Sequence, residues 1–577
     1  MKRIFTAAIV VAIALLFAAP GRTLAAPSDT LVVYASGPSL DVIINSDTTV
    51  GGLQAHKVYK LVTVDTTYLY LAAASVKSNI TVIGVLGANG RPPCIQPGLR
   101  QDNSLSTNIF NLNGAGTVGI FKNLYIFDLA PDNSYTDGTN DWWITADNVK
   151  LYVDNCIVEE NRYQVFAFQG AHDDIFVTNC KFRNCVDPTN WFGSSIVACA
   201  YPSNTPADSI VVKYCTFLCV NSRAATTGND GVVNYFEFSH NSYVYNFTED
   251  LRMFSVVRGK FDDNIFYSLY AGAQPVSEYW FWFEVFSAET NSLVDFDTLT
   301  VAMDSTFDPA DAGQANWRMM AEAKRVIEVK DNLYFWPKKL TDFWTAWDDT
   351  AHGGDSLYTA PWINNRTMNM LTDKTHWPNC SQSGNLNVDP GFGTSVANVI
   401  DNAGGTPGVV GLTSYVARIR SNGTARDIWG YQPNSVSGNN WVPPWPLPEQ
   451  TSGALAYSAS LTAPDGKPYG DPYWFTLSPT AVKQQSSAIP TKFDLSNNYP
   501  NPFNPSTTIK ASLAKDGLMS LNVYNMLGQL VKVVDQGNKP AGEYLYTVNM
   551  DHFASGLYFY TLRQGNNVIT KKMLLLK

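Results

Sequence analysis

The sequence is poor in charge. Lys, Arg, Asp and Glu make up only 16% of it, and acids outnumber bases 50 to 40. Between residues 27 and 489 the balance is 28 bases against 45 acids. No stripe of Lys and Arg stands ready to displace counterions from a phosphate backbone, so nucleic acid is excluded as a partner class. The eight cysteines in 577 residues are too few for a disulfide scaffold, and none forms the CxxC pair of a structural zinc site. After residue 26 no run of about 18 apolar residues occurs, so no membrane-spanning helix is expected in the mature chain.

What is present is aromatic and strand-like. Phe, Trp and Tyr reach 13% of the chain, the balance of an extracellular β-rich protein. Residues 1–26 carry Lys2 and Arg3, an apolar run from Ile4 to Ala19, and small residues ending at Ala25 and Ala26. That layout predicts a cleaved secretory signal peptide. The rest exceeds one ordinary domain unless a repeat extends it.

A repeat is there. "LYVDNCIVEEN" from 151, "IFVTNCKFRNC" from 175 and "IVVKYCTFLCV" from 210 share alternating apolar residues followed by Cys156, Cys180 or Cys215. The frame continues around Asn241, Asn264 and Asn332, with an earlier copy around Asn123. A strand-rich unit recurring at a variable period of tens of residues predicts a β-solenoid whose turns carry insertions. Stacked parallel strands put equivalent side chains on top of one another, so the three cysteines are expected as a buried ladder of free thiols.

These steps, with a "DPGF" element at Asp389 to Phe392, resemble the right-handed parallel β-helix proteins of the pectate lyase-like kind over roughly residues 60–400. The resemblance implies an all-β solenoid, placed here over residues 27–477 with an entry and a closing segment. None of the signature strings of the pectate lyase or polygalacturonase families is present, so no catalytic residue carries over. Lyases on this fold use a Lys or Arg base and often calcium, whereas hydrolases use paired carboxylates. The residues that would serve either chemistry are Glu159, Arg162, Asp173, Lys181 and Arg183, which an ordinary solvated wall would also carry. Trp280 and Trp282 in "SEYWFWFEVF" are sugar-stacking candidates, with simple packing as the plainer role. The loop "PDNSYTDGTND" offers Asp132, Asp137 and Asp141 to calcium, although it lacks an EF-hand spacing and reads equally as a turn.

The C-terminal end divides further. "APDGKPYGDPYWF" reads as pinned turns of a closing segment, and residues 478–490 as a flexible linker. In 491–577, "NYPNPFNPSTTI", "LNVYNMLGQLVKVV", "AGEYLYTVNM", "SGLYFYTL" and "VITKKMLLLK" resemble, in order, the type A C-terminal sorting domain of the type IX secretion system. Tyr499, Pro500, Asn501, Pro502, Phe503, Asn504 and Pro505 form its opening motif, read as a stiff extended entry. The resemblance implies a small immunoglobulin-like β-sandwich, the type IX translocon as partner, and passage through the periplasm of a Gram-negative-type bacterium to the surface or beyond. Two functions stand for the exported body, expected as a monomer: binding or degrading polysaccharide, or serving without catalysis as a structural or adhesive spacer.

Overall fold

A computed structural model describes most of residues 29–576; the longer stretches outside it are 186–194, 276–293, 297–324, 343–355 and 393–446. The expected signal peptide therefore lies outside the described residues, as do Asp137, Trp280 and Trp282. The chain divides into two compact units after Phe475.

The first unit is a parallel β-helix of three sheets. Sheet A has eleven strands, from Thr30–Val33 to Ser381–Ser383; sheet B has ten, from Tyr68–Tyr70 to Leu386–Asn387; sheet C has eight, from Ala74–Val76 to Val294–Phe296. One coil runs through Lys150–Asp154 in sheet A, Ile157–Glu159 in sheet B and Gln164–Phe168 in sheet C, and each strand pairs in parallel with its equivalent in the next coil. The strands alternate because every second side chain points into the coil. Leu151, Ile175, Ile210 and Phe236 stack in register from sheet A. Val158, Phe182, Phe217, Tyr243 and Phe266 do so from sheet B, and all nine are buried in one core. Two short helices, Leu40–Ser46 and Asn365–Thr372, add Leu40, Ile44, Met370 and Leu371 to that core.

The corner between sheets A and B explains the sequence repeat. Its first residue adopts φ between 52° and 59° at Asn123, Asn155, Asn179, Tyr214, His240, Asp263 and Asp331. Asn and Asp tolerate this left-handed conformation better than most residues. The second corner residue turns inward: Leu124, Cys156, Cys180, Cys215, Asn241, Asn264 and Asn332 are all buried. The backbone amide of each rung donates to the side chain of the next. Cys156 donates to Cys180 Sγ at 3.5 Å, Cys180 to Cys215 Sγ at 3.4 Å, Cys215 to Asn241 Oδ1 at 2.9 Å and Asn241 to Asn264 Oδ1 at 2.8 Å. The cysteines are thus a thiol continuation of an asparagine ladder, free and buried. The early copy differs from the expected frame by one residue. Asn123 occupies the corner, and Leu124 takes the inward place.

The second unit is a sandwich of two four-stranded antiparallel sheets. Ser506–Leu513 alternates half-buried with buried residues, and Ile509, Ala511 and Leu513 meet Leu521, Val523, Tyr560 and Leu562 in its core. Lys483–Ser486, inside the stretch read as linker, is an edge strand paired with Gly542–Asn549. The proline motif, expected as a stiff extended entry, is folded down onto the sandwich. Tyr499 exchanges two hydrogen bonds with Thr508 at 2.9 Å, while the Phe503 amide donates to Leu574 and its carbonyl accepts from Leu576. Asn498 donates its amide to the Tyr560 hydroxyl, and the Asn501 side chain accepts from Leu574. Both sheets hold the motif, with Phe503 buried between them.

Candidate functional site

The outer face of sheet B is where most of the candidate catalytic residues meet. Alternation turns Glu159, Lys181, Arg183, Thr216, Ser242 and Tyr267 away from the core, towards what would be solvent in a bare solenoid. All six are nevertheless buried. The cover comes from far along the chain. Asp471 accepts a hydrogen bond from the Thr216 hydroxyl at 2.7 Å and donates its amide to Ser242 Oγ at 2.9 Å. The Trp474 indole donates to Thr216 at 2.8 Å, and Phe392 of the "DPGF" turn packs edge-on against both Trp474 and Tyr267. Leu447 joins Cys94, Tyr125, Phe127 and Ile157 in a second apolar cluster. The closing segment is thus a strap over sheet B.

Gly470 lets the strap's backbone lie close against sheet B. Its φ is +71°, and a Cβ there would sit 2.5 Å from Ser242 Oγ and 3.0 Å from Ile265, so both conformation and space call for glycine.

Beneath the cover lies an acid–base cluster. Glu159 and Arg183, both fully buried, form an ion pair at 2.6 Å, and Glu159 also accepts from the Tyr125 hydroxyl and from Asn184 at 2.8 Å. Lys181 donates to the Asn179 carbonyl at 2.8 Å and lies over the Tyr473 ring. Next to them, burial pushes Glu160 up to about 8. Asp128 and Asp141 are buried neighbours that share Asn161 as a hydrogen-bond donor. Burial raises both, Asp128 to about 7, and the Asp128 charge pushes Asp141 higher still. Buried carboxylates this close oppose each other's ionisation, so both hold their protons to higher pH than a free acid. Asn161 donates to both, at 2.9 Å and 3.3 Å. Arg162 lies 3.5 Å over the Tyr135 ring, and among the described residues its Nε and Nη1 find no hydrogen-bond partner; neither does the Tyr70 hydroxyl.

The other candidates sit elsewhere. Asp173 begins a sheet A strand, accepts from the Val149 amide at 2.8 Å, and is raised to about 7 by burial among Asp147, Asp174 and Asp208. Asp132 is a turn residue whose carboxylate accepts from the Ser134 amide and hydroxyl, which hold it below the usual range. Asp132 and Asp141 have separate hydrogen-bond partners, and Asp137, the third residue of the calcium reading, lies outside the described residues. Sequence reasoning passed over Asp128 and read Asp141 only as a calcium ligand in a loop. Nothing local marks a carboxylate for burial when its cover is supplied by another part of the chain.

The second unit, not the first, carries the match that assigns a class: cargo with an export domain. Residues 497–576 match the secretion system C-terminal sorting domain. This tail is the type IX sorting domain, which implies interaction with that machinery and secretion to the cell surface or extracellular space. No curated protein matches the chain. No helix among the described residues is long and apolar enough to cross a membrane.

Proposed function

We propose that the exported body is a rigid, non-catalytic β-helix that serves as a structural or adhesive spacer at or beyond the cell surface. One observation carries this reading: the strap closes over the residues best suited to lyase or hydrolase chemistry. Glu159 and Arg183 are 0% exposed, Arg162 4% and Lys181 9%. A general base must reach the proton it abstracts, and a Lys or Arg engaged under a strap does not meet a polymer. The solvent-facing aromatics of sheet A point the same way. Tyr152 and Phe176 stack at 4.8 Å with only 9° between their planes, so each spends a face on its neighbour and has less to offer a sugar ring.

A second reading, binding or degradation of polysaccharide, is favoured by the Asp128–Asp141 pair. A carboxylic acid held protonated near neutral pH suits a general acid, and the unpartnered nitrogens of Arg162 suit an acidic sugar. It requires the cover to open. The test is a panel of neutral and acidic polysaccharides incubated with the mature chain, read for reducing ends, for the ultraviolet absorbance of unsaturated product, and for retention on immobilised glycan. The spacer reading expects no turnover on any of them. Turnover that is lost in Asp128→Asn would overturn it in favour of the second.

A further inference from the structure

The strap meets the β-helix at another polar cluster, on the A–B corner and separate from the acids beneath the cover. His240 and Asp263 occupy equivalent corner positions one coil apart, since Ser239 pairs with Asp262 immediately before them. Both are buried, 4% and 6% exposed. Asp465 reaches them from the strap.

The hydrogen bonding of His240 sets its tautomer. Nδ1 lies 2.9 Å from the Pro468 carbonyl, which only accepts, so Nδ1 carries the proton. A neutral ring then turns the Nε2 lone pair towards two carboxylates, Asp465 Oδ2 at 3.1 Å and Asp263 Oδ2 at 3.3 Å. Three acceptors facing one another repel unless a cation lies among them or the imidazole takes a second proton; Lys467 Nζ, 3.2 Å from Asp465 Oδ2, offsets the strap carboxylate alone. The second oxygen of Asp263 is buried and has no hydrogen-bond partner among the described residues. Tyr214 stacks on the imidazole at 5.2 Å and keeps its plane fixed.

The spacing suits a metal. The three ligand atoms lie within 4.8 Å of one another. Donors at about 2.0–2.1 Å from a tetrahedral zinc ion stand about 3.3 Å apart, close to both distances from Nε2. A histidine that donates its other nitrogen to a backbone carbonyl is the usual arrangement around a bound metal. An imidazole nitrogen with two carboxylates selects a first-row transition ion of the zinc kind over calcium, which takes six or more oxygens. Asp465, with its side chain 35% exposed, leaves an entry path.

We infer that His240 Nε2, Asp263 and Asp465 bind one divalent transition cation of the Zn²⁺ class, and that this ion clasps the strap to the β-helix. The clasp is independent of whether the body is catalytic. The test uses the untagged mature chain, stripped with chelator and titrated with Zn²⁺ by calorimetry, with Ca²⁺ as the comparison ion and metal content measured after desalting. The expected result is one equivalent of Zn²⁺ per chain, a raised thermal midpoint and slower proteolysis of the strap, with Ca²⁺ failing to compete. Asp465→Asn, on the half-exposed strap, should bind at least tenfold more weakly and lose the rise in midpoint. His240→Gln should do the same; should it fail to fold, Asp465→Asn decides alone. Wild-type protein that takes up no stoichiometric Zn²⁺, or Asp465→Asn that binds it as tightly as wild type, overturns the proposal; the latter would also expose binding by the buried thiols.

Discussion

Replacing Asn264 by leucine tests the inward ladder at the place where its chemistry is densest. The side chain is fully buried; it accepts from the Asn241 amide at 2.8 Å and donates to the Phe238 carbonyl at 2.8 Å and to Asn332 Oδ1 at 2.8 Å. Leucine preserves the volume and removes all three bonds. A buried polar group left without a partner costs about 1–3 kcal/mol. The stranded Asn241 amide and Phe238 carbonyl therefore predict about 2–6 kcal/mol of destabilisation by that same measure. Because coils of a solenoid lean mainly on their neighbours, the loss should be felt locally as well as globally. The assay is the thermal midpoint together with hydrogen exchange measured peptide by peptide. Asn264→Leu should lower the midpoint and speed exchange in the peptide containing Asn241. Asn155→Gly is the control. It keeps a φ of 52° that glycine adopts freely and gives up one part-buried hydrogen bond, to Asn123 Oδ1 at 2.8 Å, so it should move the midpoint less than Asn264→Leu. An Asn264→Leu protein with wild-type midpoint and unchanged protection around Asn241 would refute the ladder as a source of stability.

Three further outcomes follow from the same geometry. Gly470→Ala places a methyl group 2.5 Å from Ser242 Oγ at a φ of +71°, and should cost about 1–3 kcal/mol and make the strap more susceptible to limited proteolysis. Arg183→Met strands the fully buried Glu159 charge and should cost about 3–5 kcal/mol, while adding Glu159→Gln should recover much of that in a denaturation cycle. The raised carboxyls Asp128, Glu160 and Asp173 hold protons in the folded state that an unfolded chain releases above about pH 4. Stability should therefore fall as pH rises from about 5 to about 8, and Asp128→Asn should flatten the slope of midpoint against pH.

The coils were legible because their signal is local. Each corner needs a residue that tolerates positive φ, followed by a small or hydrogen-bonding side chain that fits the inward ladder, and that pair recurs wherever the chain turns. The one-residue displacement at Asn123 has the same origin, since asparagine suits both places and only the neighbouring rung tells them apart. The strap was not legible. Thr216 and Asp471 are 255 residues apart, and no periodicity links them. Glu159 and Arg183 consequently read as members of a solvated wall, although the closing segment turns that wall into an interior. His240 carries no local mark either, since its meaning depends on Asp465, 225 residues later. The tail was readable in full as a module, since its strands follow one another in sequence, yet the folding of its proline motif onto both sheets depends on partners at Tyr560 and Leu574.

Everything proposed for the body rests on the closure of sheet B. Hydroxyl-radical footprinting of the mature chain measures it directly, residue by residue. Trp474 and Tyr125, 1% and 0% exposed, should resist modification, while Tyr34 at 58% and Tyr499 at 82% are labelled readily. Modification of Trp474 and Tyr125 at the rate of those exposed tyrosines in the folded protein would mean that the strap does not cover the face, and would contradict the account.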